Sequence, residues 1–323
     1  MDAYLTLEHE FGKWLGNPNT VACNSGTAAL HLALEAMRFA PRASIVIPDF
    51  TMVACARAAS LADMVPVFVD CKDDLTLDPG KLGQIQAAAV MPVHIYGRRC
   101  DMDPIHAWAR DRCALVVEDL AEAHGVLPHP DTDAACWSFY RNKIVCGEEG
   151  GMIAFKDPRH AEYARMLRSL GFTSQHNFYH LPRGMNYRLA NALASLILPS
   201  LDRMRPNLVA RQRVCDWYDE LVPVAWQMPE RDVVWVYDLR IPGLTTMYQD
   251  ALVSELNRAG VAARHAFQPM SKQIEYPGHI GGSHAARLAQ EVIYLPVLPT
   301  YQREDAALNV GQLLTIWNRV RRM

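Results

Sequence analysis

Lys143 stands in the run "SFYRNKIVCGEEGG", five residues after Ser138 and seven before the pair Gly150-Gly151. An amine becomes a nucleophile toward aldehydes when burial or nearby cations favour its uncharged form. The plain alternative is a solvated lysine ahead of a glycine turn. Asp119 closes the apolar run "LVVED" at a strand's carboxyl end, where open α/β sheets place their ligands. A carboxylate there pairs with a cation or caps the next helix. Glu122 follows three residues later and reaches the same place if the chain turns helical. Asn24-Ser25-Gly26-Thr27, in "NSGTAALHLAL", follows a strand pattern and opens a helical one. A helix N-terminus exposes unpaired N–H groups and partial positive charge, and Gly26 lets the backbone approach an oxyanion closely. That string is a phosphate cup or an ordinary Ser/Thr cap.

Taken together, a phosphate cup, a strand-end aspartate and a lysine fall at the ends of strands, with Ser138 as a further phosphate contact. That is the order a phosphorylated aldehyde cofactor requires, and pyridoxal phosphate fits all three. The strands that must carry these groups are legible. Between Thr20 and Phe155 lie seven candidates: "TVAC", "SIVIP", "VPVFVD", "AAAVMPVHIYG", "ALVVED", "ACWSFY" and "GMIAF". Several are apolar throughout, as strands of a parallel sheet covered on both faces are. The helical patterns "TAALHLALEAMRF", "MVACARAASLA" and "DPIHAWARDR" alternate with them, which predicts an α/β sandwich.

After Phe155 the pattern turns helical in "PRHAEYARMLRSLGF" and in a long run from Leu189 to Leu221, which Pro199 and Pro206 should bend or divide. A strand-like "VVWVYDLRIPG", a helix "MYQDALVSELNRAG", a polar loop around "YPGHIGGSH" and a closing helix "EDAALNVGQLLTIWNRVRR" follow. A domain change is expected between Asp202 and Asn207, giving a large domain over 1–203 and a smaller α/β domain over 204–323.

The 323 residues are 50% hydrophobic, enough to bury a core, and the net charge of −3 provides no basic field for nucleic acid or an anionic membrane surface. Eight scattered cysteines without a C-x-x-C pair read as reduced thiols in the cytoplasm. The N-terminal "MDAYLTLEHEFGKWLG" is amphipathic and acidic, unlike a secretory signal, and no run of about eighteen apolar residues occurs. A soluble cytoplasmic protein is the expectation. His106, His124 and His129 lack the spacing of metal ligands, so no metal site is expected. Nothing suggests an activated thiolate at Cys146, and the tryptophans and methionines read as core.

In order and spacing, "NSGTAALHLAL", "PVFVD", "MPVHIYGRRCDMDPI", "VEDLAEAHG", "SFYRNK", "EGGM", "GMNYRL" and "LPVLPT" resemble the DegT/StrS family of pyridoxal-phosphate sugar aminotransferases. The wording around "MPVHIYG" and "SFYRNK" is most similar to its perosamine-synthase-like branch. The resemblance implies the aspartate-aminotransferase fold, type I: an α/β/α sandwich on a seven-stranded, mainly parallel sheet, with a smaller C-terminal α/β domain. It also implies a homodimer with both active sites at the interface. Lys143 matches the Schiff-base lysine and Asp119 the partner of the pyridine nitrogen. Gly26, Thr27 and Ser138 match the phosphate contacts, with Ser25 beside them, and Asn186 matches an asparagine that reaches the neighbouring subunit's phosphate.

Several positions depart from the family pattern. Met52 takes the place of the aromatic ring that covers the cofactor, and a thioether covers it less rigidly. Glu122 takes the place of a glutamine in many members, although glutamate is typical of the perosamine-like branch. Glu148 replaces a glycine before "EGG" while Gly147 sits one place earlier, so that turn is expected to be rebuilt. The chain begins almost at the helix before the first strand, without the family's N-terminal arm that helps bind the nucleotide-sugar, and Gly125 to Ser138 is short. His94 and Tyr96 either line the site or pack a strand end. Arg264 and His265 resemble the strand that closes over substrate, or are a solvated edge.

The expected reaction is a two-step transamination through pyridoxamine phosphate. Glutamate is the expected donor, and a nucleotide-linked 4-keto-6-deoxyhexose the expected acceptor. Lys143 carries the proton in each half. Related dehydratases have histidine at that position, which argues against dehydration here. A keto-cyclitol or other small ketone is a rival acceptor, and a non-catalytic binding or regulatory protein on the same fold is a rival class, with Met52 and Glu148 as its supporting features.

Overall fold

The computed structural model describes residues 2–173, 175, 177–276 and 282–322. Seven buried runs pair into one sheet in the order β1 (Thr20–Cys23), β7 (Gly151–Phe155), β6 (Ala134–Ser138), β5 (Leu115–Asp119), β4 (Ala89–Val90), β2 (Ser44–Pro48) and β3 (Val65–Val69). The strands from β6 across to β3 run parallel, and β7 is antiparallel to both of its neighbours. This is the mainly parallel sheet expected from the uninterrupted apolar runs. Alternate residues of one strand serve opposite faces: Ile45 and Ile47 join the core that holds α2 (Gly26–Met37) and α3 (Val53–Leu61). Val46 between them joins the core under α4 (Met102–Arg112). Both faces are dry, so neither alternates with polar residues. The remaining helices of this part are α1 (Ala3–Leu15), α5 (Pro158–Arg168) and α6 (Asn191–Asp202).

The fourth strand is much shorter than its sequence suggests. Only Ala89–Val90 pairs regularly, followed by one parallel bridge from Val93 to Asp119. Pro92 has no N–H for a ladder. Beyond it the chain turns sharply at Tyr96, whose φ of 51° is left-handed, and at Gly97. The long helical run divides at Arg203 into α6 and α7 (Met204–Leu221). Pro199 stays inside α6, and Pro206 falls in the first turn of α7, where its missing N–H costs nothing.

The second sheet is built entirely after residue 204, in the order β8 (Tyr237–Arg240), β10 (Val292–Leu295), β9 (Arg264–His265), all antiparallel. Helices α7, α8 (Thr246–Arg258) and α10 (Arg303–Val320) share a core with β8 and β10. Helix α9 (Ser283–Glu291) and β10 follow a region read from sequence as a polar loop; residues 277–281 of that loop lie outside the described residues. The strand-like "VVWVYDLRIPG" is regular only from Tyr237, because Val233 donates its N–H to Gly97 O instead of to a sheet neighbour.

Three contacts fasten this part over the carboxyl ends of the parallel strands. Asp49, just past β2, accepts Ser271 N–H, Ser271 Oγ–H and Gly282 N–H. Asp70, just past β3, accepts the first amides of α9, those of His284 and Ala285. Arg98 makes a two-pronged bond to Asp238, which Arg231 also holds, and all three side chains are buried. Burial would raise the Asp238 carboxyl, but Arg231 and Arg98 hold it below the usual carboxylate range. No helix among the described residues is long and apolar enough to cross a membrane.

Candidate active site

A cleft of about 540 Å³ opens at these carboxyl ends. Ser25, Gly26 and Thr27 form one corner of it, at the start of α2. Ser25 is the cap, its Oγ accepting Ala28 N–H at 3.1 Å, and Gly26 stands next to it against the end of β6. A Cβ on Gly26 would lie 2.7 Å from Ser138 Cβ, so only glycine lets β6 end against the helix start. The first-turn amides of α2, which have no partner within the helix, and Ser138 therefore converge on one corner. Oxyanions are what such a corner holds.

Asp119 lies on the same cleft, 5% exposed, its Oδ1 accepting Ala121 N–H at 2.9 Å. Lys143 reaches the cleft from the loop after β6, with Nζ 3.4 Å from Glu122 Oε1 and 3.9 Å from the centre of the Trp235 ring. The indole N–H of Trp235 donates to Asn142 O at 2.8 Å, tying the lysine loop to the second part of the chain. The turn after Lys143 is held by Phe139, which accepts Gly147 N–H and donates to Gly150 O. Gly150 has φ 154°, and a Cβ there would lie 2.8 Å from Ile197 Cδ1 of α6. Glu149 of that turn lines the cleft. Met52 is at its mouth, 47% exposed, where its Sδ accepts Ala54 N–H and starts α3.

Burial pushes the Glu122 carboxyl up to about 7, against the opposing pull of Lys143 and of the Tyr96 N–H that Oε2 accepts. Between the ordinary value near 4.3 and about 7, the folded chain keeps a proton that the unfolded chain has released. Wild-type stability therefore falls as pH rises through that window and is level above it. In cofactor-free protein, Glu122→Gln should be more stable than wild type at pH 8 by up to about 3 kcal/mol, with the difference vanishing below about pH 4.5. Thermal melts across pH measure this; a constant difference would contradict it.

His94, Tyr96, Arg264 and His265, each open to two readings in the sequence, are not among the residues that line the cleft. His94 is fully buried: its Nδ1 accepts Cys100 N–H at 3.1 Å, so the proton is on Nε2 and faces Glu118 Oε2 at 2.8 Å. Tyr96 is fully buried too, with its hydroxyl accepting Phe267 N–H and its ring among Phe50, Trp235, Phe267 and Tyr294. The turn after Pro92 directs Ile95, and not its neighbours, into the cleft. Arg264 is exposed on the edge strand β9, and His265 pairs with Asp250 at 2.8 Å; neither reaches the cleft wall. Asn186 is exposed outside this cleft, with its carbonyl accepting Asn24 Nδ2–H at 3.5 Å.

The wall facing the cup is Trp235, Phe267 and Tyr294, three aromatic residues that sequence reading treats as core or leaves aside. Trp235 is indeed only 4% exposed. No local spacing marks these residues, since each comes from a different segment of the second part.

The model of the DegT/DnrJ/EryC1/StrS aminotransferase family matches residues 2–313. The chain belongs to this family. Its members are pyridoxal-phosphate-dependent sugar aminotransferases. GDP-perosamine synthase of Caulobacter vibrioides is 36% identical over 82% of this chain and 76% of its own length. 3-Amino-5-hydroxybenzoate synthase of Amycolatopsis mediterranei is 30% identical over 83% of this chain and 74% of its own. Among solved structures, DesV of S. venezuelae in complex with a ketimine intermediate superposes with a TM-score of 0.82 at 27% identity, covering 99% of this chain and 88% of that one.

Proposed function

We propose that this family member binds pyridoxal 5′-phosphate in the cleft and moves an amino group from glutamate to a nucleotide-linked keto-sugar, a 4-keto-6-deoxyhexose. One observation carries the reading: Lys143 Nζ opens onto the same cleft as the Gly26–Ser138 corner and Asp119. The donor set fits the cofactor. Gly26, Thr27 and Ser138 would hold its phosphate, Ser25 keeps the helix start in place, Asp119 would keep the ring nitrogen protonated, and Met52 would cover the ring. When bound, the cofactor supplies an aldehyde for the amine and a protonated ring that acts as an electron sink.

The chain's own work is binding and proton transfer. Lys143 Nζ would take a proton from the donor's α-carbon and pass it to the cofactor's aldehyde carbon, and in the second half would take a proton from that carbon and give it to the sugar carbon that receives nitrogen. Glu122 stays within reach of Nζ and steadies it between transfers. Trp235, Phe267 and Tyr294 exclude water from the side facing the cup. In this proposal residues 1–203 hold the cofactor and 204–323 close over it. Two copies share their sites, with Asn186 reaching the other copy's phosphate.

Borohydride added to the purified, cofactor-loaded protein should fix the cofactor's mass on the peptide containing Lys143, and glutamate should bleach the visible absorbance. A colourless protein that takes up no cofactor would overturn the reading. A second acceptor class, a small carbocyclic ketone without a nucleotide, is favoured by the likeness to 3-amino-5-hydroxybenzoate synthase. A panel of nucleotide-linked ketoses and free cyclic ketones, assayed for amine incorporation, separates the two.

A further inference from the structure

Asp119 has a second holder. Its Oδ2 is 3.1 Å from the sulfur of Cys55, and that sulfur is 3.3 Å from the Thr51 hydroxyl. Thr51 lies just before the Met52 cap of α3 and Cys55 lies in the first turn of that helix, so the chain's entry into α3 brings the two together. Cys55 is 0% exposed, while Thr51 also lies on the cleft wall. Burial first, and then the adjacent Asp119 charge, push the Cys55 thiol well above its ordinary range, so the sulfur keeps its proton. An ionised carboxylate only accepts, so the bond runs from S–H to Oδ2 and the Thr51 hydroxyl donates to sulfur.

The last torsion of an aspartate is broad and nearly two-fold, so one hydrogen bond leaves the carboxylate free to swing. Ala121 N–H on Oδ1 and Cys55 S–H on Oδ2 together fix its plane. We infer that Cys55 is a positioning residue for the amination reaction: oriented by Thr51, its thiol holds the Asp119 carboxylate in the rotation that meets the cofactor's ring nitrogen. This rests on the cofactor reading above. A cysteine that only filled space would tolerate valine without consequence for the cofactor.

Two measurements on the full-length protein test it. In titrations with pyridoxal 5′-phosphate, Cys55→Val should weaken binding about tenfold or more, as loss of a hydrogen bond to a charged group does, while Cys55→Ser, which keeps a donor, should stay within about threefold of wild type. Circular dichroism melts of each variant show that it is folded. Independently of any cofactor, the infrared S–H stretching band isolated as wild type minus Cys55→Ser should be lowered in frequency, and should move up in Asp119→Ala. A valine variant that binds the cofactor as tightly as wild type, or a band indifferent to Asp119→Ala, overturns the inference. A wild type that takes up no cofactor overturns the parent reading, and a band that still responds to Asp119→Ala identifies that failure as separate from failure of the thiol contact.

Discussion

Lys143→Ala is expected to lower turnover by about four orders of magnitude or more, because it removes both the covalent attachment point and the group that moves the proton in each half-reaction. The phosphate corner does not involve this side chain: Gly26 and Ser138 meet each other through β6 and α2, not through the lysine loop. The variant should therefore still take up cofactor, without the borohydride-fixed adduct at residue 143. Single-turnover rates with glutamate measure the loss, and near-normal rates would refute the role assigned to Lys143. Added small amines should restore part of the rate, since they supply the missing base in solution.

Asp238→Ala should be the most destabilising single change outside the cleft. Arg98 Nη1 and Nη2 reach its two oxygens at 2.8 and 3.0 Å, and Arg231 Nε reaches Oδ1 at 2.8 Å. Asp238 is 0% exposed and neither guanidinium has access to water worth the name, at 3% and 4%. Removing the carboxylate leaves two cations buried together, a change that costs about 3–5 kcal/mol. The midpoint of urea denaturation measures it; an unchanged midpoint would contradict it. The same change should also weaken cofactor uptake, because Gly97, next to Arg98, accepts Val233 N–H two residues before Trp235, and Trp235 anchors the loop of Lys143.

The sheet was readable because parallel strands covered on both faces are written as unbroken apolar runs, and six of the seven expected segments pair along most of their length. The fourth did not, since "AAAVMPVHIYG" is apolar to its end while Pro92 and the left-handed Tyr96 take it out of the ladder after two residues. Helix α9 and strand β10, nine and four residues long, were not read from the sequence, where a polar loop precedes them. At the site, Lys143, Asp119, Glu122 and the Gly26 corner were legible, each being at a recognisable strand's end, within five residues past one, or at the start of a helix. His94 and Tyr96 had the same address and a different fate. Alternation and one sharp turn decided which of the neighbours faced the cleft, and the turn is not encoded in residue type alone.

Local order along the chain determined which strands and helices form and which reactive groups stand at their ends, because periodicity and capping act over a few residues. It could not determine the aromatic wall of Trp235, Phe267 and Tyr294, the thiol beneath Asp119, or the charge cluster at Asp238. Each is a contact between segments far apart in the chain, 64 residues for Cys55 and Asp119 and 140 for Arg98 and Asp238. Such pairs come into being only when the sheet closes and the second part docks on its carboxyl ends, where direction and burial, not residue type, set what each side chain can do.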